Sequence, residues 1–245
     1  MRILLLGYGK MGKVIEQVAT QRGHQIVGTI DLTNRADLKN YSPHNTDVVI
    51  EFSAPEAAHQ NLQQTMAQGL RVVCGTTGWL AHRPEIETLC QQYGAAFFYA
   101  SNYSIGVNLF FRLNKALARM MQPYQNDYGV TMTEVHHTQK LDSPSGTAIT
   151  LAEGILENLP LKTKWVGNSG AAIAEDEIEI VSLRQGDVPG THVVRYESAV
   201  DSIEIAHVAH SRAGFALGAV VAAEFLNQKT GVYGMDELLG APVYL

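Results

Sequence analysis

Cysteine is scarce: Cys74 and Cys90 are the only two in 245 residues. They lack the paired spacing of a disulfide framework or a zinc knuckle, which suits a reducing compartment and makes cytoplasm the expected location. No apolar run is long enough to cross a bilayer. The opening MRILLLGYGKMG has one Arg and five apolar residues ahead of a glycine turn, which reads as a buried strand and not as a secretory leader or a membrane span. There is no excess of positive charge either. A net charge of -6 and a pI near 5.8 repel a phosphate backbone and an anionic lipid surface, so neither nucleic acid nor membrane is an expected partner. Low-complexity tracts and blocks of like charge are absent, which argues against disorder. What remains is an ordinary globular composition, 46% hydrophobic and 17% charged, enough for one large domain or two small ones.

RILLLG, 2 to 7, is a continuous apolar run stopped by glycine, and Met11, Val14, Ile15 and Val18 follow at helical spacing. HQIVGTID (24 to 31), DVVIEFS (47 to 53), LRVVCGTTG (70 to 78) and AAFFYAS (95 to 101) continue a strand series, with helices from Pro55 to about Gln68 and around 84 to 93. Such alternation predicts an α/β fold: a Rossmann-like, doubly wound, mostly parallel sheet. Beyond residue 103 the pattern changes. A long amphipathic helix over 104 to 121 precedes a strand at 128 to 136, and another helix is expected to start at Pro144 or Ser145. EIEIVSLR (177 to 184), THVVRYES (191 to 198) and SIEIAHVAH (202 to 210) then alternate in period two, which predicts antiparallel hairpins. The expected organisation is a dinucleotide-binding domain from 1–103 and 212–245, and an α+β substrate and oligomerisation domain with a mixed open sheet from 104–211. The apolar helix at 213 to 228 returns the chain to the first.

Gly7, Gly9 and Gly12 form G-x-G-x-x-G directly after a strand and at a helix start. In that context the first glycine permits a tight turn, the second lets a pyrophosphate approach the backbone, and the third brings helix against strand, with the phosphate at the positive helix end. Tyr8, Lys10 and Met11 fill the motif. Asp31, 19 residues beyond Gly12, is placed to accept from an adenosine ribose hydroxyl. Its charge opposes a 2'-phosphate and Leu32 follows it, which leans toward NADH; Lys10, Lys13 and Arg35 are near enough in sequence to keep NADPH open. Gly75, Thr76 and Thr77 lie at a strand's carboxyl end, either lining a nicotinamide ribose or making an ordinary turn.

EVHHTQKLDSPSGTA, 134 to 148, puts proton-transfer groups beside free backbone amides. Ser143 and Ser145 are candidate caps, Pro144 suits a first helical turn, and the amides of Ser145, Gly146 and Thr147 lack intrahelical partners. That turn is either an anion cradle or simply a well-capped helix start. His136, His137 and Lys140 just upstream favour the cradle, since a bound carboxylate would meet an ammonium and imidazole donors while Glu134 and Asp142 orient or neutralise them. Adjacent histidines point to opposite faces of a strand and no H-E-x-x-H is present, so no metal is expected. A satisfied surface cluster is the bland alternative. Cys74 reads as a small buried hydrophobe, His207 and His210 as packed or interface residues. Arg212 suits an acidic substrate or a structural ion pair equally.

GYGKMG, GTTG, ASNYSIGVN and above all EVHHTQKLDSPSGTA together resemble the 4-hydroxy-tetrahydrodipicolinate reductase (dihydrodipicolinate reductase) family, the NAD(P)H-dependent enzymes of the diaminopimelate route to lysine. The likeness runs nearly end to end, through SRAGFALGAVVAAEFL and TGVYGMDELL. It implies a homotetramer assembled by the second domain's sheet, with a small dicarboxylate as substrate. By position, His136 is implied as the acid/base residue and Lys140 as proton donor or activating cation. His137, Lys140, Ser145, Gly146 and Thr147 would hold substrate; Gly7 to Gly12, Asp31, Gly75 to Thr77, Ala100, Ser101, Asn102 and Tyr103 would line the dinucleotide. Asp142-Ser143-Pro144 stands where the family usually has Asp-Ala-Pro, and Leu32 where it commonly has a basic residue. Two rival readings are another two-domain dehydrogenase of a small acid or semialdehyde, which leaves the Pro-Ser-Gly turn unexplained, and a non-catalytic dinucleotide sensor, which leaves His136 and Lys140 unexplained.

Overall fold

Alternate side chains of the first strands feed two different cores, and that division builds the first half of the molecule. The computed structural model describes residues 1–168, 172–211 and 213–240. Its chain runs β1 (Arg2–Leu6), α1 (Lys10–Gln21), β2 (Gln25–Ile30), β3 (Val48–Glu51), α2 (Pro55–Ala67), β4 (Arg71–Cys74), α3 (Arg83–Gln92) and β5 (Ala96–Tyr99). It continues through α4 (Ile105–Met121), β6 (Gly129–His136), α5 (Gly146–Leu156), β7 (Lys164–Gly167), β8 (Glu177–Arg184), β9 (Gly190–Glu197) and β10 (Ser202–Ala209). Last come α6 (Ala213–Leu226), β11 (Gly231–Tyr233) and α7 (Met235–Leu239). Two units result, one of Met1–Ile105 with the chain from Ala213, the other running from Gly106.

In the first unit the strand order is β11-β5-β4-β3-β1-β2, and each described pair is parallel. Ile3, Leu5, Ile50, Val73 and Phe98 face one core with Ile15 of α1 and Ala219 and Val220 of α6; Leu4, Leu6, Val49, Val72 and Phe97 face the other with Leu62 of α2 and Ile86 of α3. A parallel sheet covered on both faces needs apolar side chains along its strands, and RILLL, VVIE, RVVC and AFFY supply them except at the strand ends Arg2, Glu51 and Arg71. The register sets Leu6 beside Ile30 and Glu51, Glu51 beside Cys74, and Cys74 beside Tyr99. Every following loop therefore leaves from one carboxyl edge, where ligands dock in such sheets.

In the second unit the order is β10-β9-β6-β8-β7. The expected hairpin between β8 and β9 does not form. β6 lies between them, parallel to β8 and antiparallel to β9, whereas β9 and β10 do pair as a hairpin. The long central strand, paired on both sides, takes the register that a hairpin would have used. One face of this sheet is apolar: Val130 and Met132, Ile178 and Ile180, and Val194 and Tyr196 pack with Phe110 and Leu117 of α4 and Leu151 and Ile155 of α5.

Candidate functional site

Two sites are built, one in each unit. In the first, Gly7 has φ +95° and a Cβ on it would sit 2.1 Å from the Phe52 carbonyl oxygen, while one on Gly12 would sit 2.5 Å from the Gly7 oxygen. Neither position admits a side chain, so the β1–α1 turn is as tight as the motif implies. Gly9, the N-cap of α1, has nothing within 4 Å of its absent Cβ and no side chain capping the helix. The first helical amides thus face open space at the positive end of α1, which fits a pyrophosphate.

Beside that turn lies a cleft of about 540 Å³ lined by Gly7, Tyr8, Gly9, Asp31, Leu32, Arg35, Phe52, Ser53 and Asn61, among others. Asp31 is exposed; its Oδ1 accepts from the Thr33 hydroxyl at 2.6 Å and the Thr33 amide at 2.7 Å. The hydroxyl first, then the amide, hold its carboxyl below the usual range. Arg35 is anchored through Nε to Asn61 Oδ1 at 2.9 Å, and Asn61 Nδ2 in turn donates to Ser53 Oγ. The sequence reading missed the contribution of Phe52, Ser53, Ala54, Ala57 and Asn61; their signal was the end of a strand adjacent to β1, followed by a proline-started helix. Lys10, Met11, Gly12, Gly75 to Thr77 and Ala100 to Tyr103 do not line this cleft.

Gly75 and Ala100 leave the same sheet edge at the ends of β4 and β5. Thr76 is engaged within the fold, its Oγ1 accepting from the Ser53 amide and its carbonyl from Trp79 Nε1. Tyr103 is a core residue, 2% exposed, with its hydroxyl donating to the Cys74 carbonyl at 2.7 Å. Thr77 and Ser101 are exposed. Burial, then the Glu51 charge, pushes the Cys74 thiol well up, so it is no nucleophile.

The second site grows out of the apolar face of the second sheet. Along β6, alternate residues pass from Val130 and Met132 to Glu134 and His136, all buried. The cross-strand register sets Glu134 beside Ser182 of β8 and His192 of β9, and His136 beside Arg184. The core thus turns polar at one end. Glu134 is fully buried, and its Oε1 accepts from the Ser145 amide at 3.0 Å and faces Arg184 Nη2 at 3.4 Å. Its Oε2 lies 3.3 Å from His136 Nδ1 and 3.7 Å from His192 Nε2. Burial alone would raise the Glu134 pKa, but His136, His192 and Ser145 outweigh it and hold the carboxyl far below its ordinary value. His192 is driven down by burial and stays neutral.

Lys140 donates to both oxygens of Asp142, at 2.7 and 2.8 Å. That hydrogen bond keeps the Asp142 carboxyl below its usual range. Arg184 closes the loop by donating to the Asp142 carbonyl at 2.6 Å. The helix here starts at Gly146, with Ser145 as N-cap accepting from the Ala148 amide at 3.2 Å. Pro144 therefore precedes the cap and is not in the first turn, and Ser143 is not the cap. The Ser145 amide is spent on Glu134 and its Oγ also meets His192 Nε2 at 3.2 Å. Gly146 and Thr147 keep amides without intrahelical partners, and Gly146 has nothing within 4 Å of its absent Cβ. His137 is half-buried, just beyond β6. Arg212 lies outside the described residues.

Glu134, His136 and His192 carry ligand atoms within 4.8 Å of one another, as do His59, His82 and Glu85 in the first unit. Arg184 and the Ser145 amide already compensate Glu134, so no cation is needed there. The rings of His59 and His82 stack at 3.9 Å and 8°, which leaves their lone pairs in parallel planes with no common focus. His192 and Arg184, some 50 residues downstream of Glu134, were not singled out by sequence spacing for this site; only strand pairing brings them in.

Comparison with known proteins identifies the family. Residues 1–103 match the family model described as dihydrodipicolinate reductase, N-terminus, and residues 106–239 match dihydrodipicolinate reductase, C-terminus. A 4-hydroxy-tetrahydrodipicolinate reductase of Christiangramia forsetii is 50% identical over 241 residues, covering 98% of each chain. One of Methanosarcina barkeri is 34% identical over 256 residues, covering 95% of this chain and 96% of its own. Among solved structures, a dipicolinate-bound dihydrodipicolinate reductase of Paenisporosarcina sp. TG-14 shares the fold with a TM-score of 0.75 at 21% identity, covering 96% of this chain and 98% of that one. The chain belongs to the dihydrodipicolinate reductase family, whose members are NAD(P)H-dependent oxidoreductases.

Proposed function

We propose that the chain carries out its family's reduction of 4-hydroxy-tetrahydrodipicolinate with His136 as proton donor, Lys140 as the cation beside it, and the exposed amides of Gly146 and Thr147 with His137 as the grip on a substrate carboxylate. The observation that carries this reading is the His136–Glu134 contact at 3.3 Å at the polar end of β6, in the same unit as a helix start with unspent amides. The 4-hydroxyl leaves as water with a hydrogen from C3, giving the C3–C4 double bond of dihydrodipicolinate, and when bound the reduced nicotinamide would supply hydride to C4 of that ring. Gly9 and the open start of α1 take the pyrophosphate, and Asp31 accepts from the adenosine ribose. His136 delivers the proton that the reduced ring takes at C3, with Lys140 stabilising the charge that develops before it arrives. Asp142 holds the ammonium until a substrate carboxylate competes for it.

Asp31 and Arg35 line one cleft, which supports use of both cofactors with a lean to NADH: the carboxylate suits a 2'-hydroxyl, and the guanidinium offsets a 2'-phosphate. Replacing Arg35 with Ala should raise the KM for NADPH by about 10-fold or more, the size of a lost hydrogen bond to a charged group, and leave that for NADH nearly unchanged. For assembly, the edge strand β10 exposes Ile203 at 40% and Val208 at 52%, which supports self-association through this sheet into a tetramer. The deciding assay supplies the dihydrodipicolinate synthase product with NADH or NADPH and follows the reduced-nicotinamide absorbance. Steady decay is expected; none with either cofactor would remove the reading.

A further inference from the structure

Neighbours from three strands surround His136. On β6 itself, Glu134 Oε2 stands 3.3 Å from Nδ1. From β9, the His192 ring crosses it edge to face at 5.0 Å and 72°, and the bare backbone of Gly190 packs against the ring edge, where a Cβ would lie 3.1 Å from His136 Nε2. On the β8 side, Arg184 Nη2 lies 3.4 Å from the other Glu134 oxygen, which also takes the Ser145 amide at 3.0 Å. A carboxylate held from two directions in a buried site cannot swing away.

We propose that Glu134 is a positioning residue for the reduction: it fixes His136 with a proton on Nδ1 and steadies the imidazolium, so that Nε2, the ring nitrogen turned away from Glu134, is the one that protonates the substrate. The inference rests on the role given to His136 above. The two atoms are in ionic contact at 3.3 Å and both are buried without another hydrogen-bond partner; a carboxylate only accepts, so in the hydrogen bond this pair can make, Nδ1 is the donor. Nε2 gives its proton to the substrate carbon, the ring becomes the neutral Nδ1–H form without rotating, and Nε2 regains a proton from solvent between turnovers. His192, kept neutral by burial, adds no competing charge. Asp142 is committed to Lys140, which leaves Glu134 as the counter-charge in contact with the ring, with Arg184 and Lys140 as the cations nearby.

Glu134→Gln in the full-length enzyme keeps the volume and an acceptor oxygen but removes the charge. Its kcat should fall about 10- to 100-fold with dinucleotide affinity unchanged. The pH above which kcat declines should move lower, because the imidazolium has lost its partner while Arg184 and Lys140 remain. A kcat and pH profile like those of the parent would overturn the proposal, as would a loss confined to KM or to melting temperature. A second measurement needs no substitution: nitrogen-15 NMR of histidine-labelled enzyme should show neutral His136 protonated at Nδ1, and an Nε2–H tautomer would equally overturn it. His136→Gln separates the two levels. If that variant loses turnover while Glu134→Gln does not, only the positioning role falls; if it keeps turnover, the catalytic reading falls and takes this one with it.

Discussion

Lys140 and His136 each have a carboxylate partner, but on different terms. Asp142 is exposed and grips Lys140 through both oxygens; Glu134 is buried beside His136. Replacing His136 with Gln or Lys140 with Met should lower kcat by about 100-fold or more, the size of lost acid catalysis. Dinucleotide affinity, measured by fluorescence titration, should not change. Acid should expose Glu134 in another way. Its folded-state carboxyl is held far below the ordinary value, so its contribution to stability is present above the unfolded pKa of about 4.3 and is lost as pH falls. Melting temperature should drop on acidification below about pH 4, and Glu134→Gln should flatten that fall relative to the parent. The histidine–lysine block was legible because its groups are local in the chain. His192 and Arg184 were not, because a strand register between distant segments leaves no spacing to read.

At the scale of elements, what sequence pattern resolved best was the run of buried strands, since RILLL or AFFY between glycine turns has no competing reading. Period two also found β8, β9 and β10, but alternation states only which side chains share a face. It is silent on which strand lies alongside, and β6 took the place between β8 and β9. β7 and β11 went unrecognised for a simpler reason: KWVG and GVY are too short to show a period. The start of α5 was expected within a residue or two, and the Ser145 hydroxyl marks it. Ser145→Ala should cost about 1 kcal/mol for the cap, read by urea unfolding. Its kcat should fall as well, since the same hydroxyl meets His192.

For the whole molecule, a net charge of -6 says only that an anionic ligand must be held by local positive groups and amides; the small-anion chemistry was legible in the motifs and not in the composition. No helix among the described residues is long and apolar enough to cross a membrane. If β10 carries assembly, Val208→Lys should reduce the mass seen by light scattering while dinucleotide binding in the first unit persists. The first unit is also interrupted in the chain: β1 to β5 come before residue 105, whereas α6 and β11 come only after 212. Ala216, Ala219, Val220, Ala222 and Ala223 of α6 complete the core that Ile3, Leu5, Ile50, Val73 and Phe98 begin. During synthesis on the ribosome, therefore, the first unit waits with one sheet face uncovered while the second emerges whole. A nascent chain halted near residue 211 would leave that greasy face to chaperones, so the earliest segment to appear is among the last to mature.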